Sequence, residues 1–128
     1  MQTHERWLKI AWQEYGAGEA LQKAHFPNQA SYFAQQAAEK ALKAYLVAHN
    51  IRLAKTHDLE LLVQECKVIN VRFLRLAYHA YFLSDYATAF RYPQTMYDDL
   101  FIFECYEILQ HAKKIIHFVT STLATEKI

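Results

Sequence analysis

The sequence has few residues that break helices. Its 128 residues include two glycines, Gly16 and Gly18, and two prolines, Pro27 and Pro93. Because both glycines precede residue 19, the rest of the chain has no glycine-rich phosphate loop and no glycine-flanked serine nucleophile. The scarcity of breakers favours long helices over most of the chain.

Other absences exclude further classes of protein. Cys66 and Cys105 lie far apart without a CxxC spacing, so they predict buried, reduced thiols and neither a disulfide framework nor a zinc site. No stretch approaches the ~18 apolar residues of a membrane span, and the N-terminus lacks the apolar core of a signal peptide. We therefore expect a soluble cytoplasmic domain. The formal net charge of +1 gives no bulk electrostatic argument for binding nucleic acid or membrane.

No cofactor or metal is expected. Di-iron helical bundles need Glu-x-x-His on two helices. Glu107 and His111 are four residues apart and share a helical face, but they lack partners of that kind. The seven histidines are spread along the chain, and a single helical histidine is more often a surface residue or a hydrogen-bonded core residue than a ligand.

What is present is helical periodicity. It predicts helices over residues 3–25, 29–50, 57–66 and 71–87, and a last helix that begins at Asp98 and Asp99. Asn28 is a natural N-cap for the second helix, and Thr56 or Asp58 for the third. A row of alanines at alternating spacings of three and four predicts a face of the second helix that another helix can approach closely (Ala30, Ala34, Ala37, Ala41, Ala44, Ala48). The fourth helix is apolar almost all round and is expected to be the most buried.

The prediction is an all-α, up-and-down bundle of four long helices plus one short helix. It forms a single domain over residues 1–128. A chain of this length should bury roughly two-thirds of the surface that it exposes when unfolded.

Three polar clusters are candidate binding sites, and each has an ordinary structural explanation as well. The second helix can present a solvated polar face, on which Glu39 and Lys43 are predicted to form an i,i+4 ion pair. The start of the third helix can simply be capped, and the last cluster can be a turn that ends a helix. The candidate residues are Gln36, Glu39, Lys40 and Lys43 on the second helix, His57 and Asp58 at the third, and Arg91, Tyr92 and Tyr97 around Pro93. In a phosphate site Arg91 and Lys40 would contact phosphate, a tyrosine would stack, and Gln36 would orient the ligand.

Together the segments "YFAQQAAEKALKAYL", "THDLELL" and "FRYP" resemble the HEPN family (higher eukaryotes and prokaryotes nucleotide-binding domain). The resemblance extends from about Trp7 to Phe118. It implies a helical bundle, a homodimer in the bacterial or archaeal cytoplasm, and a minimal nucleotidyltransferase as partner, in toxin-antitoxin pairs or similar two-protein modules. It also implies binding of a nucleotide of the ATP or GTP type, or of RNA.

Many HEPN proteins are metal-independent ribonucleases, and these resemble one another in a motif in which an arginine is followed, after four to six residues, by a histidine. Here no histidine follows Arg91 until His111. The resemblance therefore implies a nucleotide-binding or nucleotidyltransferase-partner protein without nuclease activity of its own. Two alternatives remain. The first is a ribonuclease toxin that uses either Arg72 and His79, which lie at i,i+7, or a rearranged site around Arg91. The second is a purely structural dimeric adaptor.

Overall fold

The structure, a computed structural model, describes the backbone of residues 3–91 and 102–126 and the side chains of residues 3–85 and 104–126. Most of these residues are helical. Five α-helices and one 3-10 helix occur there: α1 (His4–Lys23), α2 (Pro27–Ala48), α3 (Leu59–Ile69), the 3-10 helix (Val71–Leu76), α4 (Ala77–Arg91) and α5 (Ile102–Thr125). The predicted all-α bundle is confirmed. The predicted helix start at Asp98 and Asp99 lies outside the described residues.

Side-chain caps begin three of these elements. The Thr3 hydroxyl accepts from the Arg6 amide at 3.2 Å and starts α1. One Asp58 carboxylate oxygen accepts from the amides of Glu60 and Leu61 at 3.0 and 3.2 Å, which confirms the predicted cap of α3. The Asn70 side chain accepts from the Arg72 amide and starts the 3-10 helix.

The junction between α1 and α2 differs from the prediction. Pro27 is in the first turn of α2, where its missing N–H and fixed φ cost little, and the N-cap position belongs to Phe26. Asn28 therefore lies inside the helix and is not its cap. The chain turns at His25, whose φ of 68° is left-handed.

Helix α2 is the centre of the bundle and contacts each of the other α-helices. All six alanines of its predicted face are buried, as expected. Gly18 of α1 faces this helix so closely that a Cβ there would lie 3.1 Å from the carbonyl oxygen of Ala30. The absence of side-chain bulk on both helices allows this approach.

Glu126 fixes the end of α5 to the far end of α2. Its carboxylate accepts from the Tyr45 hydroxyl at 2.7 Å, contacts His49 Nε2 at 2.9 Å and accepts from Asn70 Nδ2 at 3.4 Å. Partial burial raises the pKa of Glu126, but these hydrogen bonds outweigh it and leave the pKa below its usual value.

The fourth predicted helix is less buried than expected, and that prediction is wrong. The segment begins as the 3-10 helix, and only part of its apolar surface packs inward, through residues such as Phe73, Leu76 and Leu83. Val71, Leu74, Tyr78 and Tyr81 are each more than half exposed. The segment is apolar all round, but one side of it faces outward from the bundle.

The two glycines provide a matched test of the close approach. Gly16→Ala should stabilise the protein by about 0.5–1 kcal/mol, since alanine favours a helix and no atom beyond the neighbouring backbone of α1 lies within 4 Å of the added Cβ. Gly18→Ala should destabilise it, because the added methyl meets a backbone carbonyl of α2. Urea unfolding of both variants measures the difference, and equal stabilisation by the two would contradict the packing described.

Candidate functional site

The carboxylate of Glu39 is the centre of the predicted polar cluster on α2. It is 3 % exposed, and its Oε2 accepts from Lys43 Nζ at 2.9 Å. Lys43 is itself buried, so the i,i+4 pair predicted from the sequence exists, but not on a solvated face. An ion pair removed from water requires both partners, because either charge alone would be strongly destabilising.

His57 joins the same carboxylate from the segment before α3. Its Nδ1 lies 2.9 Å from Glu39 Oε1, although the His57 side chain is 65 % exposed. Because a carboxylate can only accept, Nδ1 carries the hydrogen and Nε2 is left for other contacts. Glu39 thereby orients the imidazole as a carboxylate orients a histidine in many metal and catalytic sites.

The other predicted residues of α2 are engaged elsewhere. Lys40 donates to Glu14 of α1, which ties the first two helices together. Gln36 is half-buried, and it is its neighbour Gln35 that donates to the carbonyl oxygen of Leu83 in α4. Lys40 and Lys43 are thus both paired with carboxylates in this structure.

A groove lies beside this cluster, at the start of α3. It has a volume of about 470 Å³ and includes the predicted residues His57 and Asp58 (with Gln35, Lys55, Thr56, Glu60 and Ser84). Its charges are mixed, and Asp58 is occupied in capping α3. The structure therefore brings together the first and second predicted clusters, through Glu39 and His57. Tyr92 and Tyr97 lie outside the described residues, and Arg91 is described only as the last backbone position of α4.

Arg72 and His79 have separate partners. Arg72 is in the 3-10 helix, where three residues make a turn, so the spacing of seven does not place it above His79 as a continuous α-helix would. Both side chains nonetheless contact α5, at residues seven apart. The Arg72 guanidinium lies 5.7 Å from the centre of the Phe118 ring, whereas His79 contacts His111.

The pair formed by His79 and His111 was not predicted from the sequence. Their Nδ1 atoms are 2.8 Å apart, across the interface of α4 and α5, and the ring of Phe82 stacks on His111 at 3.9 Å. Burial lowers the pKa of both rings. His111 and Lys114 lower that of His79 further, whereas Glu107 partly opposes the shift at His111. The only sequence signal was that both residues interrupt apolar helical faces.

Helix α5 carries a second set of residues that the sequence analysis missed. A groove of about 520 Å³ on its outward side is lined by two lysines and a histidine together with other side chains (Gln110, Lys113, Lys114, His117, Phe118, Ser121). Arg72 adjoins it through Phe118. Within the described residues neither lysine forms an ion pair. These cations are therefore available to an anionic ligand.

Neither metal ligation nor thiol chemistry is supported by the described residues. No group of three or more His, Cys, Asp or Glu side chains there could hold a metal ion. Cys66 and Cys105 are unpaired and buried, as predicted. Burial raises the pKa of the Cys66 thiol to about 12, which keeps it protonated and unreactive.

Comparisons with known proteins agree on the family. A family model described as HEPN domain matches residues 4–123. The chain is also similar to the crystal structure of ST0689, an archaeal HEPN homologue, with a TM-score of 0.77 and 23 % identity over 95 % of this chain and 98 % of that one. No curated protein is significantly similar in sequence. None of the described helices is long and apolar enough to cross a membrane.

The buried ion pair predicts a large effect of a small change. Glu39→Gln should lower the free energy of unfolding by about 3 kcal/mol, because Lys43 would remain buried without a counter-charge. The double variant Glu39→Leu/Lys43→Met should recover most of that loss, since an apolar pair avoids desolvating charge.

Glu5→Gln is the matched control, since the Glu5 side chain is 74 % exposed and the change should alter stability by less than about 0.5 kcal/mol. Urea unfolding measures all three variants. The pair would be unimportant if Glu39→Gln matched this control or if the double variant were no more stable than the single one.

Proposed function

Because the chain belongs to the HEPN family, we propose that it acts by binding: as a homodimer that associates with a minimal nucleotidyltransferase in a two-protein module, without nuclease activity of its own. The observation that carries the proposal is an exposed apolar stripe, which we call the α4 stripe, formed by Val71, Leu74, Tyr78 and Tyr81. These residues follow one another at spacings of three, four and three and are each more than half exposed. Contiguous exposed apolar surface of this kind is typical of protein interfaces.

The chemistry of the α4 stripe suits a protein partner. Tyrosine gives large contact area with little conformational freedom to lose, and it is enriched at the centres of interfaces. Arg72 and Arg75 lie on the same segment and are exposed, so they can supply the polar rim that such an interface needs. Leu74, Tyr78 and Tyr81 are exposed on one side of the segment, and a second copy of the chain is the partner that we propose for this surface.

Two observations support binding rather than RNA cleavage. Arg72 and His79, the formal match to the ribonuclease motif, each contact a different residue of α5. Between Arg91 and His111 the sequence contains no histidine. These observations favour binding over cleavage by Arg72 and His79.

Changes in the α4 stripe should separate the protomers. Leu74→Glu and Tyr81→Glu should each raise the dimer dissociation constant at least about thirtyfold, the effect of losing a 2 kcal/mol hot spot. Light scattering after size exclusion measures the mass. Tyr32→Glu, at an exposed tyrosine of α2, is the matched control and should leave the dimer intact.

Copurification with a coexpressed minimal nucleotidyltransferase from a neighbouring gene tests the second half of the proposal. A wild-type protein that is monomeric, or that dimerises equally well in all three variants, would contradict the role of the stripe. A dimer that copurifies with the partner but binds no nucleotide would support the alternative function, that of a purely structural adaptor.

The phosphates of a nucleotide are best accommodated in the α5 groove. Its volume is within the range of small-molecule sites, and Lys113, Lys114 and Arg72 are cations without an ion pair in the described structure. The groove at the start of α3 was the site expected from the sequence. It is the weaker candidate because Lys40 and Lys43 are already neutralised by Glu14 and Glu39.

Nucleotide binding should depend on the two lysines of α5. Lys113→Gln/Lys114→Gln should lower the affinity for ATP about tenfold or more, since charge-assisted hydrogen bonds each contribute about 1.5–3 kcal/mol. Lys9→Gln/Lys23→Gln removes the same charge from α1 and should change the affinity less than about threefold. Calorimetric titration with ATP, and with adenosine as the ligand without phosphates, measures both.

His57→Gln distinguishes the two grooves. A loss of ATP affinity in this variant, with none in the Lys113→Gln/Lys114→Gln variant, would indicate that the nucleotide binds at the start of α3.

In the same preparations RNA should stay intact. Cleavage that disappears in His79→Asn or Arg72→Gln would overturn the non-catalytic proposal in favour of the ribonuclease.

A further inference from the structure

The contact between His79 and His111 is unlike the other histidine contacts of the described structure. His4, His49 and His57 each face a carboxylate. His79 and His111 face each other, Nδ1 to Nδ1, at 2.8 Å. A hydrogen bond between these two atoms requires one proton: one ring donates its Nδ1–H and the other accepts with an unprotonated Nδ1.

The surroundings of the pair are mainly aromatic. Phe82 stacks on His111 with ring centres 3.9 Å apart, and the ring of Tyr78 lies 5.9 Å from His79 and 5.5 Å from His111. Tyr78 is also part of the exposed α4 stripe. A change in the distance between the two imidazoles would therefore act on a residue at the surface.

We propose that the His79–His111 pair is a proton-operated latch between α4 and α5, closed when the two rings share one proton and opened when both Nδ1 atoms are protonated. Two imidazolium rings cannot hydrogen bond through Nδ1, and at 2.8 Å they repel each other. Opening loosens α4 from α5 at Tyr78 and Phe82. The latch goes beyond the proposed function and does not require it.

The direction of the pH dependence follows from the pKa shifts. Burial, helped at His79 by His111 and Lys114, holds the folded pKa of both rings below the ordinary value of about 6.5. The stabilisation is therefore fully present above pH 6.5 and is lost as the pH falls through the lower folded values. At His111 the carboxylate of Glu107, also on α5, opposes the lowering of the pKa.

Other charged side chains lie on the elements that pack against α4. They are Arg72 and Arg75 on the 3-10 helix, Glu60, Glu65 and Lys67 on α3, Glu39, Lys40 and Lys43 on α2, Glu104 and Lys113 on α5, and Asp85 on α4 itself. Each is present in wild type and in single-site variants of the pair. Their contributions therefore cancel when wild type and variant are compared at the same pH.

His79→Asn and His111→Asn test the latch, because an asparagine amide occupies the place of Nδ1 and can hydrogen bond there without titrating. His117→Asn, at an exposed histidine of α5, is the matched control. Between pH 7.5 and 5, the folding equilibrium constant of the wild type should fall more steeply than that of either Asn variant. The two slopes should differ by up to about tenfold per pH unit, because each variant lacks one titrating histidine. Amide exchange in residues 77–85, corrected for its intrinsic rate, should accelerate at least tenfold in wild type, while that of α1 changes little.

Three outcomes would overturn the latch. The first is the same pH dependence in wild type, both Asn variants and the control. The second is the expected pH dependence of stability with unchanged exchange in residues 77–85. The third applies if both Asn variants fail to fold, when NMR is used to monitor the titration of the two rings in the wild type. Independent titration of the two rings at the ordinary pKa would exclude a shared proton, whereas coupled titration below pH 6.5 supports it. Failure of the α4-stripe variants to alter the dimer would affect the proposed function and leave this result standing.

Discussion

The alanine face of α2 is the constraint on which the rest of the structure depends. With side chains no larger than methyl groups along that face, the backbones of neighbouring helices can come close, and Gly18 of α1 reaches the carbonyl of Ala30. Because α2 contacts every other α-helix, it sets the positions of all of them. The larger buried side chains, such as Tyr45, Leu42 and Phe73, then fill the space around it.

The central position of α2 also decides what its polar residues can do. A helix surrounded on most sides has little solvated surface, so Glu39 and Lys43 are taken out of water and must satisfy each other. Lys40 is used in the same way by Glu14. Residues that read as a binding face therefore hold helices together, whereas the lysines of the α5 groove form no ion pair within the described residues and the apolar side chains of the α4 stripe are exposed. The proposed interface and phosphate site follow from this division.

Local signals in the sequence were sufficient for much of the fold. The cap at Asp58, the alanine spacing and the i,i+4 relation of Glu39 and Lys43 depend on a few neighbouring residues, and each is found in the structure. The burial of Glu39 was not predictable, because it depends on what packs against the helix. The contact between His79 and His111 joins residues 32 apart, and only the relative placement of α4 and α5 determines it.

The segment from Val71 to Tyr81 shows why periodicity alone misjudged the fourth helix. Apolar residues on every side of a helix usually indicate burial by the same chain. A surface reserved for a second chain has the same composition, so the sequence cannot separate a core from an interface. In the structure Phe73, Leu76 and Leu83 face the core, while Val71, Leu74, Tyr78 and Tyr81 face outward. The outward side is the surface on which we propose a second copy of the chain, and the histidine pair lies at the boundary between the two sides.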